Sequence, residues 1–434
     1  MTKPNLSLSP DYPTSLRHSW LIWSCAALFY GYQFLLRVAP SVMTTELMAD
    51  FQVDAAVLGL LTSFYYYAYA VFQVPVGSLL DKFGPRRLLT VAALLCTLGC
   101  LLFASSDSVM VACLGRFLIG TGSAFGFLSC MKLGTLWFPP QRIPMIIGLT
   151  LLLGTLGGMS GSYPMSFLVD GMGWRGATWA TAMGGIFLAV LIVILVRDHP
   201  PRQLRDHIHD NHPHGDMTLS LREGFYAILR QGQTWLLAGY GFMMYVPLAG
   251  FADMWGVPFM VQVHHLDKQS ASFATSCLYL GVGVGTPLFA YFSDRFHQFK
   301  TSLILSALGA LAAFIIVVYV PELSRTTVTS LLFLIGLMSG GQFMAYAIVC
   351  KINPLSISGM ATGFQNMVCL LSGVLAQPFI GWVLDLFWEG QFTNGSHAYS
   401  SAAFQMAMLS VIAALILAAF ASFFVREVYQ SHDL

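Results

Sequence analysis

Five ionisable side chains fall inside stretches that are otherwise long apolar runs: Arg37, Arg116, Lys132, Asp253 and Lys351. Charges in such a setting are costly, and they face a cavity or a partner. Arg37 lies in Phe29-Tyr-Gly-Tyr-Gln-Phe-Leu-Leu-Arg37-Val-Ala-Pro40, where Tyr30, Gln33 and Arg37 share one helix face. A guanidinium beside a phenol and an amide suits a carboxylate or phosphate, because its fork donates two parallel hydrogen bonds. The alternative is a long stem that carries the charge out to the headgroups. Asp253, in Phe251-Ala-Asp253-Met-Trp255-Gly256, has three open roles. It contacts substrate or carries a proton, it pairs with Arg37 in a gate, or it faces the outer aqueous space. An acid opposite a base also admits a zwitterion or an amine-bearing acid. Lys132 and Lys351 each follow a glycine (Gly122, Gly341) by ten residues. They are read as two cations flanking the inner half of a cavity, or as residues that snorkel.

Polar and aromatic groups supply the rest of an expected lining. Tyr65, Tyr69 and Gln73 stack at i, i+4 and i+8; Gln342 and Tyr346 do the same further on, and Gln365, Asn366 and Gln377 mark a later stretch. Trp255 stands beside Asp253. Aromatic stripes in membrane helices are also ordinary packing. No nucleophile–base set, metal-ligand spacing or phosphate-cradling loop is present, so an enzyme is not expected and neither a cofactor nor a metal is called for. His199, His207, His209, His212 and His214 cluster in a Pro-containing polar stretch, read as a linker rather than a metal site.

The elements that must hold these groups follow from composition. The chain has 434 residues, 56% hydrophobic and 9% charged, against roughly a quarter charged in soluble domains. The excess apolar surface belongs in lipid, and a net charge of +1 gives no sign of a nucleic-acid partner. At about 20 residues per crossing, twelve spans are expected near 18–42, 56–80, 86–104, 109–137, 143–169, 176–196, 233–261, 270–292, 300–320, 328–352, 359–386 and 401–425. Basic residues favour both termini in the cytoplasm of a plasma-membrane protein, an inner membrane if the source is bacterial. The halves repeat at one fixed offset, which pairs Asp54 with Asp267, Asp81 with Asp294, and Thr62-Ser63 with Thr275-Ser276. This gives an N-terminal half over 1–196, a connector over 197–232 and a C-terminal half over 233–434. Leu219, Leu221, Phe225 and Leu229 suggest a short amphipathic helix on the membrane surface after the connector.

One loop is diagnostic. Residues 77–87 read Gly-Ser-Leu-Leu-Asp-Lys-Phe-Gly-Pro-Arg-Arg. Gly77 permits close helix approach, Asp81 accepts from a helix N-terminus or pairs with a cation, and Gly84 allows a tight reversal. Lys82, Arg86 and Arg87 hold the loop inside. The segment resembles the loop 2–3 signature of the major facilitator superfamily. A degraded second copy holds Ala290, Asp294, Arg295 and His297. Arg116-Phe-Leu-Ile-Gly120-Thr-Gly122-Ser-Ala124 resembles that family's fourth-span signature, and Gly173-Trp174-Arg175 matches the GWR before its sixth span.

The resemblance implies an all-α bundle of twelve transmembrane helices in two six-helix halves, with the substrate site between them. It implies a secondary transporter working by alternating access on a small polar or anionic organic solute; a monomer is expected, and the ionisable groups within the spans make a proton the expected coupling ion. Arg116 is then a structural or coupling residue. Export of a siderophore or drug, and a non-transporting solute sensor, remain as alternatives. Around Arg37 the sequence is similar to the first span of organophosphate/phosphate antiporters, where that arginine binds substrate. The second arginine of those proteins has no counterpart, because the symmetric position is Gly250. Dipeptide-type members of the superfamily are an equally close comparison.

Overall fold

The computed structural model describes residues 12–198, 221–296, 298–393 and 395–427, and the histidine cluster of the connector lies outside them. Eleven of its helices are long and apolar enough to cross a bilayer. Helices dominate because a chain in lipid must satisfy its backbone N–H and C=O groups within the segment.

One of the eleven is double. The stretch Ile143–Leu195 runs 53 residues, which as a straight helix would reach about 80 Å, far beyond a bilayer. It is broken at Gly173, whose φ of 74° and ψ of 165° suit only glycine. Its two arms return past the same part of the first span: Gly157 packs on Gly31, while Tyr32 donates to the carbonyl of Thr181 at 2.9 Å. Counting the arms separately restores the twelve expected passes.

Span 1 covers Arg17–Val42 and span 2 Ala55–Phe83; span 3 is Pro85–Ser105 and span 4 Val109–Trp137. The arms 143–172 and 174–195 are spans 5 and 6. The second half has span 7 at Gly232–Val263, span 8 at Lys268–Phe296 and span 9 at Phe299–Tyr319. Span 10 is Arg325–Ile352, span 11 Leu355–Leu386 and span 12 Ser401–Phe423. Before span 7, helix Leu221–Arg230 sets Gly224 against Ile357 and Met360 of span 11 and buries Ile228. A small hairpin that the sequence did not suggest pairs Phe392–Thr393 with Ser396–His397 ahead of span 12.

The two ends differ in charge. The end bearing the loop 2–3 signature carries Lys82, Arg86, Arg87, Arg295 and Arg426 and is called the basic end; the other carries Glu46, Asp50, Asp107, Asp170 and Glu389. At the acidic end the halves are locked together. Span 2 lies so close to span 11 that a Cβ at Gly59 would strike the Gln377 carbonyl, and one at Gly381 would strike that of Ala55. Asp385 of span 11 accepts from the N–H groups of Ala55 (3.1 Å) and Ala56 (2.7 Å) at the start of span 2, and Tyr399 also donates to it. Lys268 reaches Glu46 (2.6 Å) and Asp170 (3.3 Å) in the other half. Span 5 meets span 8 where Ser162 donates to the Ser272 carbonyl at 3.1 Å.

Toward the basic end these contacts stop. Among the described residues, Gly359 and Gly363 on span 11 and Gly148 on span 5 have nothing within 4 Å of where a Cβ would stand, and the space between the halves reaches Pro144 and Ile147 of span 5 and Pro287 and Ala290 of span 8. The bundle is closed at its acidic end and open at its basic end.

Candidate substrate site

The opening leads to a cavity of about 310 Å³ between the halves. Tyr30, Arg37, Tyr69, Tyr245, Tyr279, Gln342, Tyr346 and Asn366 supply its polar lining, and Phe34, Leu151, Val282 and Phe343 are among its apolar walls. Arg37 and Tyr279 are buried and come from opposite halves of the repeat.

Arg37 turns into the bundle and is only 3% exposed, so it does not snorkel to the headgroups. Its Nε lies 3.0 Å from Asp253 Oδ2, and its Nη1 donates to the Tyr245 hydroxyl at 2.8 Å. The Phe34 ring sits 4.1 Å beneath the guanidinium carbon. Nη2 is buried without a hydrogen-bond partner among the described residues. Asp253 takes two phenol donors, Tyr66 on Oδ2 and Tyr279 on Oδ1. A positive and a negative side chain in a water-poor site thus neutralise one another, and hydrogen bonds hold the acid.

Local winding places both charges. Span 1 is helical to Val38 and then tightens to a 3₁₀ turn over Ala39–Val42, where Pro40 removes a backbone donor. Span 7 loosens instead, to a π-helix over Pro247–Trp255 that carries Asp253. Such wide turns recur at functional sites.

The sequence pointed to several of these residues and missed others. Arg37, Tyr30, Tyr69, Gln342, Tyr346 and Asn366 line one cavity, and the Tyr346 hydroxyl donates to Asn366 Oδ1 at 3.1 Å. Gln33 and Tyr65 lie behind that wall, fully buried, with the Tyr65 hydroxyl 2.5 Å from Gln33 Oε1. Trp255 is also buried but lies toward the acidic end, beside a second cavity with Glu46, Lys268 and Tyr399, and its indole donates to the Gln377 carbonyl at 3.0 Å.

The two lysines are not in the cavity wall. Lys132 pairs with Asp81 at 2.7 Å, and Lys351 sits 3.7 Å over the Phe299 ring at the basic end. Their apolar stems let each ammonium reach a local partner at the membrane edge instead. Tyr66, Tyr245, Tyr279 and Phe34 were not singled out. A signal existed for two of them, because Tyr66 and Tyr279 occupy equivalent positions in the repeat, at the same separation as Asp54 and Asp267.

The loop 2–3 residues form a separate group. Gly84 has a φ of 78°, and a Cβ there would meet the Asp198 carboxylate at 2.8 Å. Asp198 also accepts from the Arg86 backbone N–H at 2.8 Å, while the Arg86 side chain donates to the Val193 carbonyl at 2.7 Å. A Cβ at Gly77 would meet nothing nearer than Leu128 at 3.9 Å, so no close helix approach is made there. Lys82 lies over Phe83, and Arg87, Asp294 and Arg295 are exposed.

The family model for the major facilitator superfamily matches residues 22–267 and 248–433. The chain belongs to the major facilitator superfamily. It is 24% identical over 398 residues to a probable hexose phosphate transport protein of Chlamydia pneumoniae, covering 86% of this chain and 87% of that one. It is likewise 24% identical to the probable sulfoacetate transporter SauU of Cupriavidus necator, over 84% and 87% of the two chains. Among solved structures, a bacterial homologue of the human lysosomal transporter Spinster, inward-facing and unoccupied, overlays with a TM-score of 0.80 at 17% identity. That overlay covers 95% of this chain and 99% of the other.

Proposed function

We propose that this secondary transporter moves a small organic anion by alternating access, with Arg37 as the anion contact and Asp253 as the proton carrier. The observation that carries the reading is the Arg37–Asp253 pair at the closed end of a cavity open to one side. At rest the pair is neutral. An anion arriving at Arg37 competes with Asp253, and if it displaced the carboxylate it would leave a buried charge without a partner. A proton on Asp253 removes that competition and keeps the local sum at zero. Proton and anion therefore favour each other's binding, and the linkage is reciprocal.

The basic end is the cytoplasmic one on this reading, so both termini lie inside and the structure is inward-facing. The Spinster homologue that it overlays is also inward-facing. The relatives named for hexose phosphate and sulfoacetate support an anion carrying phosphate, sulfonate or carboxylate. The largely apolar walls favour one such group on a compact body.

The test is uptake into proteoliposomes with an imposed pH gradient, comparing sugar phosphates, sulfonates, hydroxy acids and dipeptides. Asp253→Asn should retain anion exchange but lose gradient-driven accumulation. Accumulation by that variant at the wild-type level would remove Asp253 as the proton carrier. Uptake confined to neutral solutes would overturn the reading as a whole.

A further inference from the structure

Arg116 lies on span 4, fully buried, and it does not line the substrate cavity. Its Nη1 donates to the Leu36 carbonyl at 2.8 Å, and its Nη2 reaches the Arg37 carbonyl at 3.4 Å. In a continuous helix the Leu36 carbonyl would take the N–H of residue 40. That residue is Pro40, which has none. Arg116 supplies the missing donor.

The second half has a related contact made from a different span: the position equivalent to Arg116 is Thr329 on span 10, and the donor comes from span 11 instead. Gln377 of span 11 is 1% exposed, and its Nε2 donates to the Ala249 carbonyl at 2.8 Å. Ala249 lies in the π stretch of span 7, where the ladder is also irregular. Leu36 and Ala249 are equivalent positions, separated by the same offset that relates Asp54 to Asp267. At matching carbonyls of the two halves, a side chain from another span therefore donates where the helix changes winding: Arg116 replaces a donor that Pro40 lacks, and Gln377 adds one to a π turn. Arg37 is the next residue after the first carbonyl, and Asp253 stands one turn beyond the second.

We propose that Arg116 and Gln377 are a pair of positioning residues that fix Arg37 and Asp253 by holding the broken helices of spans 1 and 7 at their irregular turns. The consequence for binding rests on Arg37 being the anion contact. The carbonyl assignment does not. A buried carbonyl left without a donor is costly, and span 1 would relieve it by changing register. Arg37 would shift with it.

The experiment is a double-mutant cycle on the purified full chain, combining Arg116→Met with Pro40→Ala. Pro40→Ala restores an N–H at the position from which a helix would serve the Leu36 carbonyl. Arg116→Met alone should lower the melting temperature and raise the half-saturation for an anion such as glucose 6-phosphate by about tenfold. Turnover at saturation should move much less. The double variant should recover a large part of both losses, so the two substitutions couple favourably. If Arg116→Met yields no folded protein, recovery of folded protein in the double variant is the same positive result.

Additive effects, with no recovery on Pro40→Ala, would overturn the assignment of Arg116. Gln377→Leu tests the other half, where wild-type melting and wild-type half-saturation together would overturn its part. Melting temperatures that fall and recover while half-saturation never moves would leave the carbonyl assignment standing, but would overturn the positioning of Arg37 if Arg37→Ala itself raises half-saturation. With half-saturation unmoved in Arg37→Ala as well, the failure lies with the anion contact.

Discussion

Arg37 and Asp253 hold each other across the two halves while Tyr245, Tyr66 and Tyr279 saturate most of what remains. Among the described residues Nη2 of the guanidinium has neither a hydrogen bond nor an ion pair, and Nε has its ion pair with Asp253 alone. A clamp of this kind depends on the planar fork as well as on the charge. An ammonium on a flexible stem would keep the charge but could not hold Asp253, Tyr245 and an anion in one plane. Arg37→Lys should therefore fail nearly as badly as Arg37→Ala, each losing at least about tenfold in uptake, the order of one charged hydrogen bond. Full activity of the lysine variant would mean that charge alone matters there. The chemistry of Arg37 was legible because an arginine in an apolar run is conspicuous. The tyrosines around Asp253 were not, since aromatic residues crowd every span and only tertiary contact shows which phenols face an acid.

The elements reuse one set of devices in each half. Asp54 accepts from the Val57 N–H at 2.8 Å to start span 2, and Asp267 accepts from the Ser270 N–H at 3.0 Å to start span 8. The Ser270 side chain, and after it the Ser270 backbone N–H, hold the Asp267 carboxyl below its ordinary range. Asp198, just past span 6, accepts from the Arg86 N–H that opens span 3. Glu427, just past span 12, accepts from the Phe299 N–H at 2.8 Å at the start of span 9. Arg86 and Phe299 are again equivalent positions of the repeat. The repeat was readable from Asp54 and Asp267, but Asp198 and Glu427 were not, because a cap from a distant span leaves no local pattern. The break between spans 5 and 6 was readable: Gly173-Trp174-Arg175 falls between the expected spans, and it is where the helix turns. Gly173→Ala should destabilise the protein by about 1–3 kcal/mol, since that backbone region is nearly closed to other residues. A melting curve in detergent checks it, and an unchanged midpoint would mean that the turn adjusts without strain.

At the scale of the whole molecule, the sequence describes a bundle but not which end of it is open. In the proposed alternating-access cycle the contacts between the halves at the acidic end break and reform, so the same residues must serve two packings that differ by about a few kcal/mol. Nothing in the order of residues ranks those packings. The structure shows what holds the present one: close backbone contact of spans 2 and 11, the Lys268 bridges, and Asp385 on the N-terminus of span 2. Of these, Asp385 is the most easily altered without crowding. Asp385→Asn keeps the shape of the side chain but removes its charge from a helix N-terminus, and its amide nitrogen cannot accept from a second backbone N–H. The expected loss is about 1–3 kcal/mol from this state alone, the usual range for a charged hydrogen bond. If the alternative packing lies within a few kcal/mol, that is enough to move the population about tenfold or more. Spin labels at residues 83 and 296, equivalent exposed positions at the basic end, can report it once the eight native cysteines are replaced. Closing the basic end should shorten the distance between them. In Asp385→Asn the short-distance population should grow, and uptake should slow because return to the basic-open state becomes the harder step. An unchanged distance distribution would show that the glycine contacts and Lys268 close the acidic end without help from Asp385.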